Sequence, residues 1–152
     1  MPVDQAEIVA FVDALEGVDT LVTPGAHYFY YDPRRDIPHD KRLPFATLIR
    51  SDEYDHASDL EKRGAYRVNL GVERESYHAL FGPEPAWGKD WGIVATGHDF
   101  TAKDVLLPHP IYAPLAWICV VDPSEATWAR VRPLVVEAHA LARARLEKRR
   151  AA

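Results

Sequence analysis

Apolar residues recur at helical spacing twice in this chain, once toward each end. Ile8, Phe11, Val12 and Leu15 fall on one helical face. Asp4 stands as an N-cap with Glu7 in the capping-box position, and Gly17 follows where a C-terminal glycine belongs. The pattern predicts an amphipathic helix over 5–16. Toward the other end, Asp122-Pro123-Ser124-Glu125 is a helix start with Ser124 as N-cap, and Trp128, Val131, Val135, Ala138 and Ala142 then repeat the helical period. Pro133 lies inside that run, so a kink or break is expected near Arg132.

Between these ends the period shortens to two. Val18–Thr23 is β-branched, Pro24-Gly25 is a turn signal, and His27–Tyr31 is aromatic and β-prone, which together predict a hairpin. Alternation puts His27, Phe29 and Tyr31 on one face and Tyr28 and Tyr30 on the other. Asp32–Leu43 reads as a charged loop, Phe45–Ile49 as a strand, and Ser51–Arg63 as a polar loop with a helical turn. Tyr66–Gly71 returns as a strand, with Tyr66, Val68 and Leu70 on one face and Arg67 and Asn69 on the other. Glu73–Phe81 is a short helix with Tyr77, Leu80 and Phe81 turned inward, stopped by Gly82-Pro83. Glu84–Gly92 is a loop, Asp104–Pro108 a short strand, and Leu115–Val121 the clearest buried strand. The order predicts a single α+β domain over 1–152. It has one mainly antiparallel sheet with an N-terminal helix, a short middle helix and a long C-terminal helix packed on one face.

Composition narrows the function classes. The 152 residues suit one core, and the net charge of −5 argues against nucleic acid as a partner, since phosphate neutralisation supplies most of such affinity. The mean hydropathy is −0.26 and no apolar run approaches the ~20 residues of a membrane span. The N-terminus has no basic region followed by an apolar one, so no signal peptide is expected. Cys119, the only cysteine, sits in an apolar run and reads as a small core residue; a cytoplasmic setting suits it. The basic tail, Arg143–Ala152, is accounted for by cations favouring a helix C-terminus.

Candidate chemistry gathers in two places. The first is Thr96-Gly97-His98-Asp99-Phe100 with Leu107-Pro108-His109-Pro110-Ile111-Tyr112, which holds two of the seven histidines. His98, His109 and Asp99 are the candidate catalytic residues, a histidine being the side chain suited to moving protons near neutrality. Asp99 has an alternative role, capping a turn in which Gly97 takes a positive φ. His109 is held between two prolines that restrict its backbone. No short ligand-pair spacing points to a metal, and no cofactor motif is present. The second place is the sheet face carrying Tyr28, Tyr30, Arg67 and Asn69, with Trp87, Trp91 and Tyr112 nearby as aromatic walls. Such a surface forms a small-molecule pocket or, alternatively, a homodimer interface. Arg67 would suit a carboxylate or phosphate.

Phe45-Ala46-Thr47-Leu48, Arg67-Val68-Asn69-Leu70-Gly71-Val72, Phe81-Gly82-Pro83, Thr96–Thr101 and Leu107-Pro108-His109-Pro110 resemble an uncharacterised actinobacterial family of unknown function. The closing strand Ala116-Trp117-Ile118-Cys119-Val120 and the helix after it are distantly similar to the MmcQ/YjbR-like family. That likeness implies a compact α+β, double-wing domain, for which a DNA-binding role has been suggested. The functions expected are then, in order, a small-molecule binding protein, an enzyme using His98 or His109 for hydrolysis or isomerisation, and a nucleic-acid or protein interaction module.

Overall fold

The computed structural model describes residues 1–152 and contains one six-stranded antiparallel sheet. Its elements are α1 (Gln5–Asp13), β1 (Val18–Thr23), β2 (Ala26–Tyr31), β3 (Ala46–Ile49), α2 (Leu60–Arg63), β4 (Arg67–Gly71), α3 (Arg74–Phe81), β5 (Leu106–Pro108), β6 (Trp117–Val121) and α4 (Glu125–Ala151). The strand order is β1-β2-β3-β4-β6-β5, so β2, β3, β4 and β6 lie inside the sheet and β1 and β5 form its edges.

Register follows the alternation in the sequence. Arg67 stands opposite Ile49 and Val121, and Asn69 opposite Thr47 and Cys119, so these residues share one face. Phe29, Leu48, Val68, Leu70, Ile118 and Val120 point to the other face. There they form the main core with Ile8 and Val12 of α1 and Trp128, Val131 and Val135 of α4. Phe11 meets the Trp128 ring edge-on at 5.6 Å, which ties the two helices together.

The second face is covered as well. Ala26, Ile49 and Val121 pack against Leu60 and Ala65, brought over the sheet by the segment that contains α2. This corrects the expectation that packing is confined to one face. It also explains why β4 is buried on both sides, Arg67 and Asn69 included.

The caps hold both major helices. Asp4 Oδ1 accepts from the Ala6 amide at 2.9 Å, and Ser124 Oγ accepts from the Thr127 amide at 3.3 Å. α1 ends at Asp13, earlier than the periodicity predicts, because the chain must turn through Gly17 at φ 72° into β1. α4 does not break near Arg132. It runs as one helix from Glu125 to Ala151 through Pro133, whose ring faces solvent while Trp128, Val131 and Val135 stay buried on either side. No helix is long and apolar enough to cross a membrane.

The length of α4 places the site described below. At ~1.5 Å per residue its 27 residues span ~40 Å, whereas a strand of 5 or 6 residues covers ~17–20 Å. The last turns of α4 therefore overshoot the end of the sheet where β2 and β4 finish and β3 and β6 begin.

Candidate functional site

The residues expected to share one pocket fall into separate settings. Arg67, 1% exposed, is sealed beneath the 50–65 segment. Its Nη1 donates to Asp55 Oδ1 at 3.1 Å and Ser58 Oγ at 2.8 Å, its Nη2 to Asp55 Oδ2 at 2.8 Å, and its Nε to Asn69 Oδ1 at 2.9 Å. The Asn69 amide nitrogen donates to Thr47 Oγ1 at 2.9 Å. Burial alone would raise the Asp55 carboxyl, but the Arg67 hydrogen bonds and charge outweigh it and hold it below the usual carboxylate range. Four of the five guanidinium donors are thus committed within the protein, and Arg67 and Asn69 form a structural network in place of an anion site.

His98 and His109 also part company. His98 is exposed on the loop after Gly97, which takes φ 78°, and its ring stands 5.6 Å from Phe81. The Asp99 carboxylate turns away from it to accept from the Thr101 amide at 3.0 Å and hydroxyl at 2.6 Å, which pull its pKa down. Asp99 therefore caps a turn and does not orient the imidazole. His109 is 5% exposed and continues the ladder beyond β5 by donating its amide to the Trp117 carbonyl. Its Nδ1 accepts from the Ile111 and Tyr112 amides, both at 3.0 Å, which fixes the neutral ring with the proton on Nε2. Burial first and the Arg67 charge second lower its pKa to about 3. A base so weak is poorly matched to proton transfer near neutrality. The ring holds a turn.

The aromatic candidates divide again. The Tyr28 hydroxyl pairs with that of Tyr54, and Tyr30 lies under the Arg42 guanidinium, 4.0 Å from ring centre to charge. Trp87 joins Trp91 at 5.1 Å and Tyr112 at 6.4 Å, and Tyr112 adjoins His109 at 5.1 Å and Trp117 at 6.4 Å. These form a surface cluster over the end of β6. Cys119 is buried, its thiol pushed up to about 12 by burial, which suits a core residue. No three His, Cys, Asp or Glu side chains gather closely enough to hold a metal ion.

An open concavity lies elsewhere, at the sheet end that α4 overshoots. It measures about 370 Å³ and is bounded by the β2–β3 loop, the ends of β4 and β6, and the last turns of α4. Lys41 and Arg42 line it from the loop, and Arg145, Lys148 and Arg149 from α4. No carboxylate lines it. Its apolar wall comes from Tyr31, Phe45, Trp117, Ala138 and Ala142.

The charges of this cavity are set apart from the rest of the tail. Arg143 pairs with Glu16 and Glu147, and Arg150 pairs with Asp36 at 2.7 Å, which ties α4 to the β2–β3 loop. Lys41, Arg145, Lys148 and Arg149 have no ion-pair partner. Arg42 is the anchor. Its side chain is 4% exposed, and Nη1 donates to Asp19 at 2.5 Å and Asp32 at 3.3 Å. Burial opposes its charge, but these hydrogen bonds outweigh burial and raise its pKa. Its Nε is the single buried side-chain nitrogen or oxygen in the protein without a hydrogen-bond partner. A buried donor left unmade costs about 1–3 kcal/mol.

Sequence reasoning passed over these five residues. Arg145, Lys148 and Arg149 have the i, i+3, i+4 spacing of one helix stripe, which was the available signal. The reading of the tail as a favourable helix terminus explained its charge without requiring a cavity beside it.

Comparison with known proteins returns a family and little else. No curated protein and no solved structure matches the chain. A family model covers residues 3–151, nearly the whole chain. The protein therefore belongs to DUF6194, a family of unknown function.

Proposed function

We propose that this protein binds a small organic anion in the cavity between the β2–β3 loop and the end of α4. One observation carries the reading: four cations without ion-pair partners line a concavity with an aromatic and aliphatic wall and no carboxylate. In a chain of net charge −5, that convergence is a local device. Its volume lies at the lower end of the ~300–1,000 Å³ range of small-molecule sites. The small-molecule reading of the sequence is kept, with the pocket moved from Arg67 and His109 to this site. A reducing, cytoplasmic setting agrees with a single buried cysteine.

Thermal denaturation tests the reading, with octanoate, benzoate and phenyl phosphate as probes. At least one should stabilise the wild type by about 2.7 kcal/mol at a concentration of ~100 Kd. The same probe should leave the Arg145→Ala/Lys148→Ala/Arg149→Ala variant unchanged. Equal stabilisation of both proteins, or of neither, contradicts the proposal.

A further inference from the structure

We infer that the anion held in the sheet-end cavity is a phosphate monoester carried on a flat ring. This rests on the reading of the cavity as an anion site and goes on to its ligand class. The number of free charges speaks first. Lys41, Arg145, Lys148 and Arg149 line the cavity without ion-pair partners, on two sides of it. A carboxylate brings one charge and two oxygens. A phosphate monoester brings close to two charges at neutral pH and three acceptor oxygens, which occupies several cations from both sides at once. Arg145 and Arg149 are one helical turn apart and both line the cavity, so they share one face of α4.

The wall speaks for the ring. Trp117 stands opposite Gly71 in the β4–β6 pair, and a Cβ on Gly71 would lie 2.9 Å from Cε2 and Nε1 of the indole. Only the missing side chain lets the indole settle on the end of β4. A ring fixed in that way loses little freedom when another ring packs against it. Tyr31 and Phe45 add aromatic surface, and Ala138 and Ala142 keep the α4 side shallow enough to admit a flat group.

Isothermal titration of the purified full chain separates the parts. Phenyl phosphate carries the phosphate and the ring, inorganic phosphate lacks the ring, and benzoate keeps the ring with one charge. Phenyl phosphate should bind at least about tenfold more tightly than either of the others, and Arg145→Ala/Arg149→Ala should weaken it at least about tenfold. It should also quench tryptophan fluorescence in the wild type and do so much less in Trp117→Phe. If benzoate binds as tightly as phenyl phosphate, the cavity stands as an anion site and the phosphate assignment is wrong. If inorganic phosphate matches phenyl phosphate, the ring assignment is wrong. If none of the three binds, the anion site itself is refuted.

Discussion

Arg67 and Arg42 are both buried arginines with carboxylate partners, and they do different work. Arg67 spends four donors on Asp55, Ser58 and Asn69. Removing it leaves the Asp55 carboxylate uncompensated, so Arg67→Met should lower stability by about 3–5 kcal/mol in urea unfolding. The pH dependence has a definite sign. The Asp55 pKa is lowered in the fold, so the stability it confers is present above the ordinary carboxylate value of 3.8 and is lost as pH falls below it. His109 is lowered too, from 6.5 to about 3, so the unfolded chain takes up a proton that the fold refuses. Its contribution is present above pH 6.5 and declines as pH falls from there toward 3, by at most about 1.4 kcal/mol per pH unit. His109→Asn should flatten the unfolding curve across that window. Nitrogen NMR of the imidazole should show an unchanging Nε2–H tautomer between pH 5 and 8. A ring that titrates in that range would overturn the assignment.

At the scale of elements, apolar patterning together with caps, β-branched runs and turn signals located the first and last helices and every strand. The faces of β2 and β4 followed from alternation, and the register confirms them. What alternation could not show is that a second layer covers the Arg67 face. The segment that covers it, Ser51–Arg63, is polar because its side chains cap turns and pair with Arg67. Polar composition made it look like solvent-facing loop. Of the kink or break expected near Arg132, the break is absent for a related reason: tertiary packing of Trp128, Val131, Val135 and Ala138 on the sheet overrides one lost hydrogen bond. Pro133 is exposed and packs no core. Pro133→Ala should therefore stabilise the protein by about 1–3 kcal/mol in thermal or urea unfolding. A loss of stability would show that the proline shapes α4 to fit the sheet.

The whole molecule explains why the cavity stayed hidden in the sequence. Lys41 and Arg42 are more than a hundred positions from Arg145, Lys148 and Arg149. They meet only because α4 is about twice as long as the strands beneath it and carries its tail past the sheet end. The overall charge of −5, which argued against nucleic acid, gave no sign of this patch, since an average over the chain conceals a local excess. The histidine segment drew attention through its residue types, yet its groups are satisfied from within: Asp99 by Thr101, His109 Nδ1 by two amides. The cations Lys41, Arg145, Lys148 and Arg149, without ion-pair partners, mark the opposite case. A nitrogen-15 NMR titration of the full chain with phenyl phosphate addresses their cavity directly. The account predicts saturable shifts of the Arg145 and Arg149 side-chain Nε–H groups, the Trp117 indole N–H and the Gly71 amide, with His109, Ile111 and Tyr112 unmoved. Shifts centred on His109–Tyr112 and the Asn69 amide, or none at any position, would contradict it.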